Sequence, residues 1–230
     1  MQKYPKVVIL RTGNMKFYKG IKLDVEKQFR DELRFGGGFV AQHHDGGETY
    51  NFAPWYGSEE ERLCLGFVET TMSSGGKRRR ILVENILGCE QLRPSDPTAE
   101  DVLVVWCARI EEATESVRVM GWYHHATVFR EYQKYSVMDE NGEVRTFEYN
   151  VSAPASGCVL LPVKERFAYR WRVPRGKHNM GHSNVWYARE NPAFVEQLVH
   201  QIEEYEKYGG ENWLDVDADW DVAKNTISIE

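Results

Sequence analysis

Two aromatic and polar clusters far apart in the chain carry the residues best suited to recognition chemistry. The first lies in VRVMGWYHHATVFR (117–130), where Trp122 and Tyr123 follow Gly121; the second is GHSNVWY (181–187), with Ser183, Asn184 and Trp186. Aromatic rings stack on flat ligands, worth about 1–3 kcal/mol per base. Hydroxyl and carboxamide groups match the donors and acceptors on a base edge. These five residues form a candidate base-binding set, with Gly121 permitting close backbone approach and His124 and His125 marking a polar strand end. No catalytic signature stands beside either cluster, so binding is expected rather than a reaction.

A nucleic-acid ligand also needs cations, and the net charge of −6 speaks against it until the charge is mapped along the chain. From Glu203 onward nine acidic residues face only Lys207 and Lys224, a net −7, which leaves +1 on residues 1–202. Within that remainder stand two basic clusters: Lys77, Arg78, Arg79 and Arg80 after a Ser-Ser-Gly-Gly run, and Lys164, Arg166, Arg170, Arg172, Arg175 and Lys177 opposed only by Glu165. Arg78, Arg79, Arg80, Arg175 and Lys177 are the candidate phosphate contacts, the last two because Pro174–His178 feeds directly into the second aromatic cluster.

Other chemistries fit less well. His43, His44 and Asp45 with Glu48, the pair His124–His125, and His178 with His182 are ligand types, but neighbouring strand residues point to opposite faces and no HExxH or CxxC stands near. No metal and no cofactor is expected. Asp215, Asp217, Asp219 and Asp221 resemble half a calcium loop, yet Trp220 takes the place of its glycine and Thr226 that of its last glutamate. Neither GxxxxGK[ST], GxGxxG nor GxSxG occurs. Cys64, Cys89, Cys107 and Cys158 are widely spaced and read as free, mostly buried thiols. No run approaches the roughly 20 apolar residues of a membrane span, so a soluble cytoplasmic protein without a membrane partner is expected.

The elements that must position these residues are mostly strands. DVLVVWCARI (101–110) is a β-branched run typical of a strand buried on both faces, and VRVMGWY should pair with it as a hairpin. Further strands are expected over Leu63–Glu69, Arg78–Gly88, Arg145–Val151, Cys158–Leu161 and Ala168–Val173, the last with one arginine face. Gly20–Phe35 is a short helix or irregular, Gly36–Gly38 breaks the chain, and Gln42–Gly57 reads as a loop. Asn191-Pro192 opens the clearest helix, with Phe194, Val195, Leu198, Val199, Ile202 and Tyr205 at helical spacing and Gly209-Gly210 at its end. The prediction is an α+β, strand-rich small barrel, closed or partly closed. It forms one domain over 1–210 with an N-terminal extension, a C-terminal helix and an acidic tail over 211–230.

The succession DVLVVWCA, VMGWYHHATVFR, LLPVKERF and MGHSNVWYA resembles a group of bacterial restriction and phage-defence domains loosely related to the PUA-like superfamily of EVE, YTH and ASCH modules. That resemblance implies a β-barrel receiving a flipped, often modified base. Trp122 and Tyr123 would be the stacking walls, Ser183 and Asn184 the edge readers and Trp186 the closing ring. It implies DNA ahead of RNA as partner and a separate nuclease or effector, since no nuclease motif is legible. Two readings of other classes stand beside it: a nucleotide sensor or hydrolase using Glu48, Asp45 and a histidine, and an interaction module acting through the acidic tail.

Overall fold

The computed structural model describes residues 6–20, 47–57, 61–71, 76, 78–111, 116–138, 143–216 and 227–229. Most of the segment 20–35, the glycine run after it, His43, His44, Asp45, Lys77, Asp217, Asp219 and Asp221 lie outside these residues.

The expected hairpin is the spine of the molecule: β4 (Thr98–Glu111) pairs antiparallel with β5 (Ser116–Met138). Leu103, Val105 and Cys107 pack on one face of β4 and Val102, Val104, Trp106 and Ala108 on the other, which is why this strand reads as a nearly continuous apolar run. β5 is longer than expected and does not end at His124–His125. It carries an extra residue: Trp106 pairs with Gly121 but Cys107 pairs with Val119, so Met120 forms a bulge. The bulge puts Val119 and Trp122 in one core and Met120 and Tyr123 in the other.

Around this spine the described strands form one mixed sheet. β1 (Lys6–Arg11), whose VVIL is fully buried, runs parallel to β4, and β9 (Val185–Trp186) pairs with the outer side of β1. β1 is therefore an interior strand, not the expected extension. On the other side of β5 lie β8 (Arg172–Val173), β7 (Cys158–Leu160) and β6 (Val144–Pro154), followed by β3 (Arg62–Gly66) and β2 (Pro54–Tyr56). The path from β2 to β9 is open, so the strand-rich expectation holds and the closed barrel does not. Part of the acidic tail is also structural: β10 (Ile227–Ile229) pairs with β5, and Asn212 bonds the backbone of Cys158 and Leu160.

Helices are few and the shortest, α1 (Val163–Arg166), is a single turn. α2 (Pro192–Lys207) begins as the sequence predicts, with the Asn191 side chain accepting the Phe194 N–H at 3.2 Å. It buries Val195, Leu198, Ile202 and Tyr205 against Val105, Val119 and Trp122 on the sheet and Trp171 of the 3-10 turn beside it, each apolar side chain contributing about 2 kcal/mol. The opposite face of the sheet is covered by irregular chain carrying Tyr18, Phe52, Ile81, Val83 and Ile86. Two expected strands take other forms. Residues 78–88 hold a 3-10 turn at Val83–Asn85, and residues 168–173 a 3-10 turn at Tyr169–Trp171 that leads into the two residues of β8. Among the described residues, no helix is long and apolar enough to cross a membrane.

Candidate functional site

The structure separates the expected stacking pair. Trp122 is fully buried, its ring 5.5 Å from that of Trp171 and 5.8 Å from that of Tyr205, and its Nε1–H donates to Glu206 at 2.7 Å. Tyr123 is equally buried on the other face, between Phe52 and Trp106. Two residues on opposite faces of a strand cannot wall one pocket, so this expectation is corrected. Gly121 does serve close approach, but of protein backbone: a Cβ there would lie 2.1 Å from the Val159 carbonyl oxygen of β7.

The second cluster is committed to local structure as well. Asn184 Oδ1 accepts from Arg11 Nε at 2.9 Å and Nη2 at 2.8 Å, while its Nδ2 donates to the Glu69 carbonyl at 2.8 Å. It ties the 181–184 loop to the end of β1. Ser183 is exposed and its Oγ accepts the Val185 N–H at 3.1 Å. Trp186 is half-buried and stacks on Phe194 at 5.7 Å. These residues do not meet Trp122 and Tyr123 in a common cavity.

The two basic clusters also part. Arg78 pairs with Glu148 and lies 4.9 Å over the Tyr132 ring, Arg80 pairs with Glu131, and exposed Arg79 stands between them, all beside the distal half of β5. Arg166 is buried and donates to the carbonyls of Leu161, Met15 and Lys16 at 2.9, 2.6 and 2.8 Å. It is a structural clamp. Lys177 is exposed on the loop beyond Arg175.

What remains of the second cluster lines a cleft of about 800 Å³. One wall is the outer face of α2, where Ala193, Gln197 and Gln201 recur every fourth residue beside Phe194. The facing wall is the 3-10 turn, β8 and the loop after it, which contribute Tyr169, Arg170, Arg172 and Arg175; Ser116 and Val117 at the start of β5 form the floor. Three arginines and no carboxylate stand among the described residues that line this space. Arg170 is steadied by an ion pair to Glu165 and lies over the rings of Trp171 at 5.2 Å and Tyr205 at 5.5 Å. Arg172 is exposed and has no ion pair or hydrogen bond among the described residues. In the β5–β8 ladder it pairs with Arg118. Burial, with added repulsion from Arg109 and Arg175, holds the Arg11 guanidinium below its usual pKa, so the positive region extends past the cleft.

Of these residues, Arg175 stood among the expected site residues, and Arg170 and Arg172 belonged to the basic run. Tyr169, Ser116, Gln197 and Gln201 did not, because nothing in their spacing marks a face until the 3-10 turn and α2 are in place. The acid-base alternative meets a different fate. Glu48 is held by the Gly13 N–H at 2.8 Å and Thr12 Oγ1 at 3.2 Å, and burial outweighs these bonds to raise its pKa. His124 Nε2 instead meets Glu206 at 2.8 Å, and His125 Nδ1 meets Asp101 at 2.8 Å, at separate places. Among the described residues, no three potential ligands gather around a point where a metal ion could sit. No protein-family model, curated protein or solved structure matches this chain.

Proposed function

We propose that the protein is a nucleic-acid-binding module that holds phosphates in the cleft between α2 and the 3-10 turn. The observation that carries this reading is the lining: Arg170, Arg172 and Arg175 converge with no carboxylate among the described lining residues, in a chain whose net charge is −6. Cations gathered on one wall of an otherwise acidic protein repel one another, and an anionic ligand relieves that repulsion. The carboxamides of Gln197 and Gln201 add neutral donors and acceptors of the kind that meet sugars and base edges. The PUA-like resemblance points to the same ligand class, DNA ahead of RNA, acting beside a separate effector in restriction or phage defence. The base contacts belong to this cleft rather than to Trp122 and Tyr123.

The test is a salt titration of binding to labelled DNA. If three arginines each neutralise one phosphate, log K falls against log salt with a slope of about −3, and the double substitution Arg172→Glu and Arg175→Glu removes about two of those units. Silence toward DNA and RNA at low salt, or affinity indifferent to the double substitution, overturns the reading.

A further inference from the structure

Tyr169 carries the argument about the cleft further than its charge does. It is 81% exposed. Among the described residues its ring stacks on no other and its hydroxyl has no hydrogen-bond partner. It stands beside Arg170 and Arg172 on the cleft wall. The carboxamides of Gln197 and Gln201 make no hydrogen bond among the described residues. One space thus holds an unused ring, two unused carboxamides and three cations.

We infer that the cleft takes single-stranded rather than duplex nucleic acid, with one unpaired base lying on Tyr169 and its edge turned toward Gln197 and Gln201. This rests on the reading of the cleft given above. The shape decides between strands. Duplex readers insert a helix or ribbon into a groove. Here the protein surface is concave, and its 800 Å³ falls in the range of pockets that enclose one small ligand. A base can enter such a space only once it has left the stack, which a single strand permits without the unpairing cost that a duplex bears. Stacking on an exposed tyrosine between arginines is the arrangement by which single-strand binders hold bases without reading sequence. The carboxamides then supply edge contacts.

Fluorescence anisotropy with a short labelled oligothymidylate, and with a duplex of the same length, tests this at low salt. The single strand is expected to bind about tenfold tighter or better. Tyr169→Ala should lower single-strand affinity by about tenfold while leaving the salt slope and the urea midpoint unchanged, because the ring is exposed and uncharged. Equal or tighter binding of the duplex, or full single-strand affinity in Tyr169→Ala, overturns the inference and leaves the phosphate cleft standing. Absence of binding to both probes overturns the reading of the cleft itself.

Discussion

Replacing Trp122 separates a core residue from a ligand-stacking one, and the geometry sets the size of the effect. The ring is fully buried, packs on Trp171 and Tyr205, and donates its only N–H to Glu206 at 2.7 Å. Trp122→Ala removes all of this and leaves a cavity between α2 and the sheet; such truncations cost about 3–5 kcal/mol, a large share of a typical domain's 5–15 kcal/mol. Trp122→Phe keeps most of the apolar contact but loses the donor and some volume, for about 2 kcal/mol, since solvent near the half-exposed Glu206 replaces part of the lost bond. Tyr123→Phe is the control on the other face. The Tyr123 hydroxyl is buried with no hydrogen-bond partner among the described residues, so its removal should be neutral or stabilising. Urea denaturation reads all three as midpoint shifts at constant m-value. If Trp122→Ala unfolds at the wild-type midpoint yet loses affinity for nucleic acid, the ring is a binding surface and the core assignment is wrong.

Gly121→Ala should destabilise by about 3 kcal/mol, because the new methyl would sit 2.1 Å from a backbone carbonyl of β7 and 2.7 Å from the Phe52 ring; an unchanged thermal midpoint would show that β7 does not pair there. Two carboxylates should impose opposite pH dependences on stability. Burial tends to raise the Glu206 pKa, but the hydrogen bonds from His124 and Trp122 outweigh it and the net shift is downward, so its stabilising contribution is present above the ordinary carboxylate pKa and lost as pH falls through the lowered value. Burial raises Glu48, so its contribution is present below the ordinary value and lost as pH rises through the raised one. Relative to Glu206→Gln the wild type should therefore gain stability from pH 3 to 6, and relative to Glu48→Gln it should lose stability over the same range, as pH-dependent urea midpoints will show. The same sign for both pairs would contradict the hydrogen-bond assignments.

The parts of this fold legible in the sequence are those where chemistry and periodicity agree. β4 announces itself because burial on both faces demands an unbroken β-branched run, and α2 because Asn191, Pro192 and the glycine pair punctuate a helical stripe. The losses have physical causes. Trp122 and Tyr123 are neighbours on one strand and so face opposite cores; Met120 looks like any strand residue, yet as a bulge it decides which core each ring enters. Arg166 reads as one more cation in a basic run, and only the fold shows three backbone carbonyls waiting for it. AYRWRV mimics strand alternation, which would set Tyr169 and Trp171 on one face. The 3-10 turn instead sends Trp171 inward and leaves Tyr169 outside. That local departure from alternation creates the exposed ring on which the candidate site depends.

The arithmetic of the cleft then constrains how such a module can work. Three arginines release about three counterions, far fewer than the six to ten phosphate contacts of strongly salt-dependent DNA binders. The net charge of −6 gives no general attraction toward a polyanion, and screening over about 8–10 Å confines the favourable field to the cleft and its rim. Phosphate contacts alone would therefore leave affinity weak at physiological salt. Useful binding requires a contribution that salt does not erode, and the exposed ring in the same space is of that kind. The charge pattern and the unused polar groups thus lead to one expectation: a shallow salt slope joined to a strong dependence on Tyr169. A steep slope with no dependence on Tyr169 would mean that binding runs along some other basic surface, such as that of Arg78, Arg79 and Arg80.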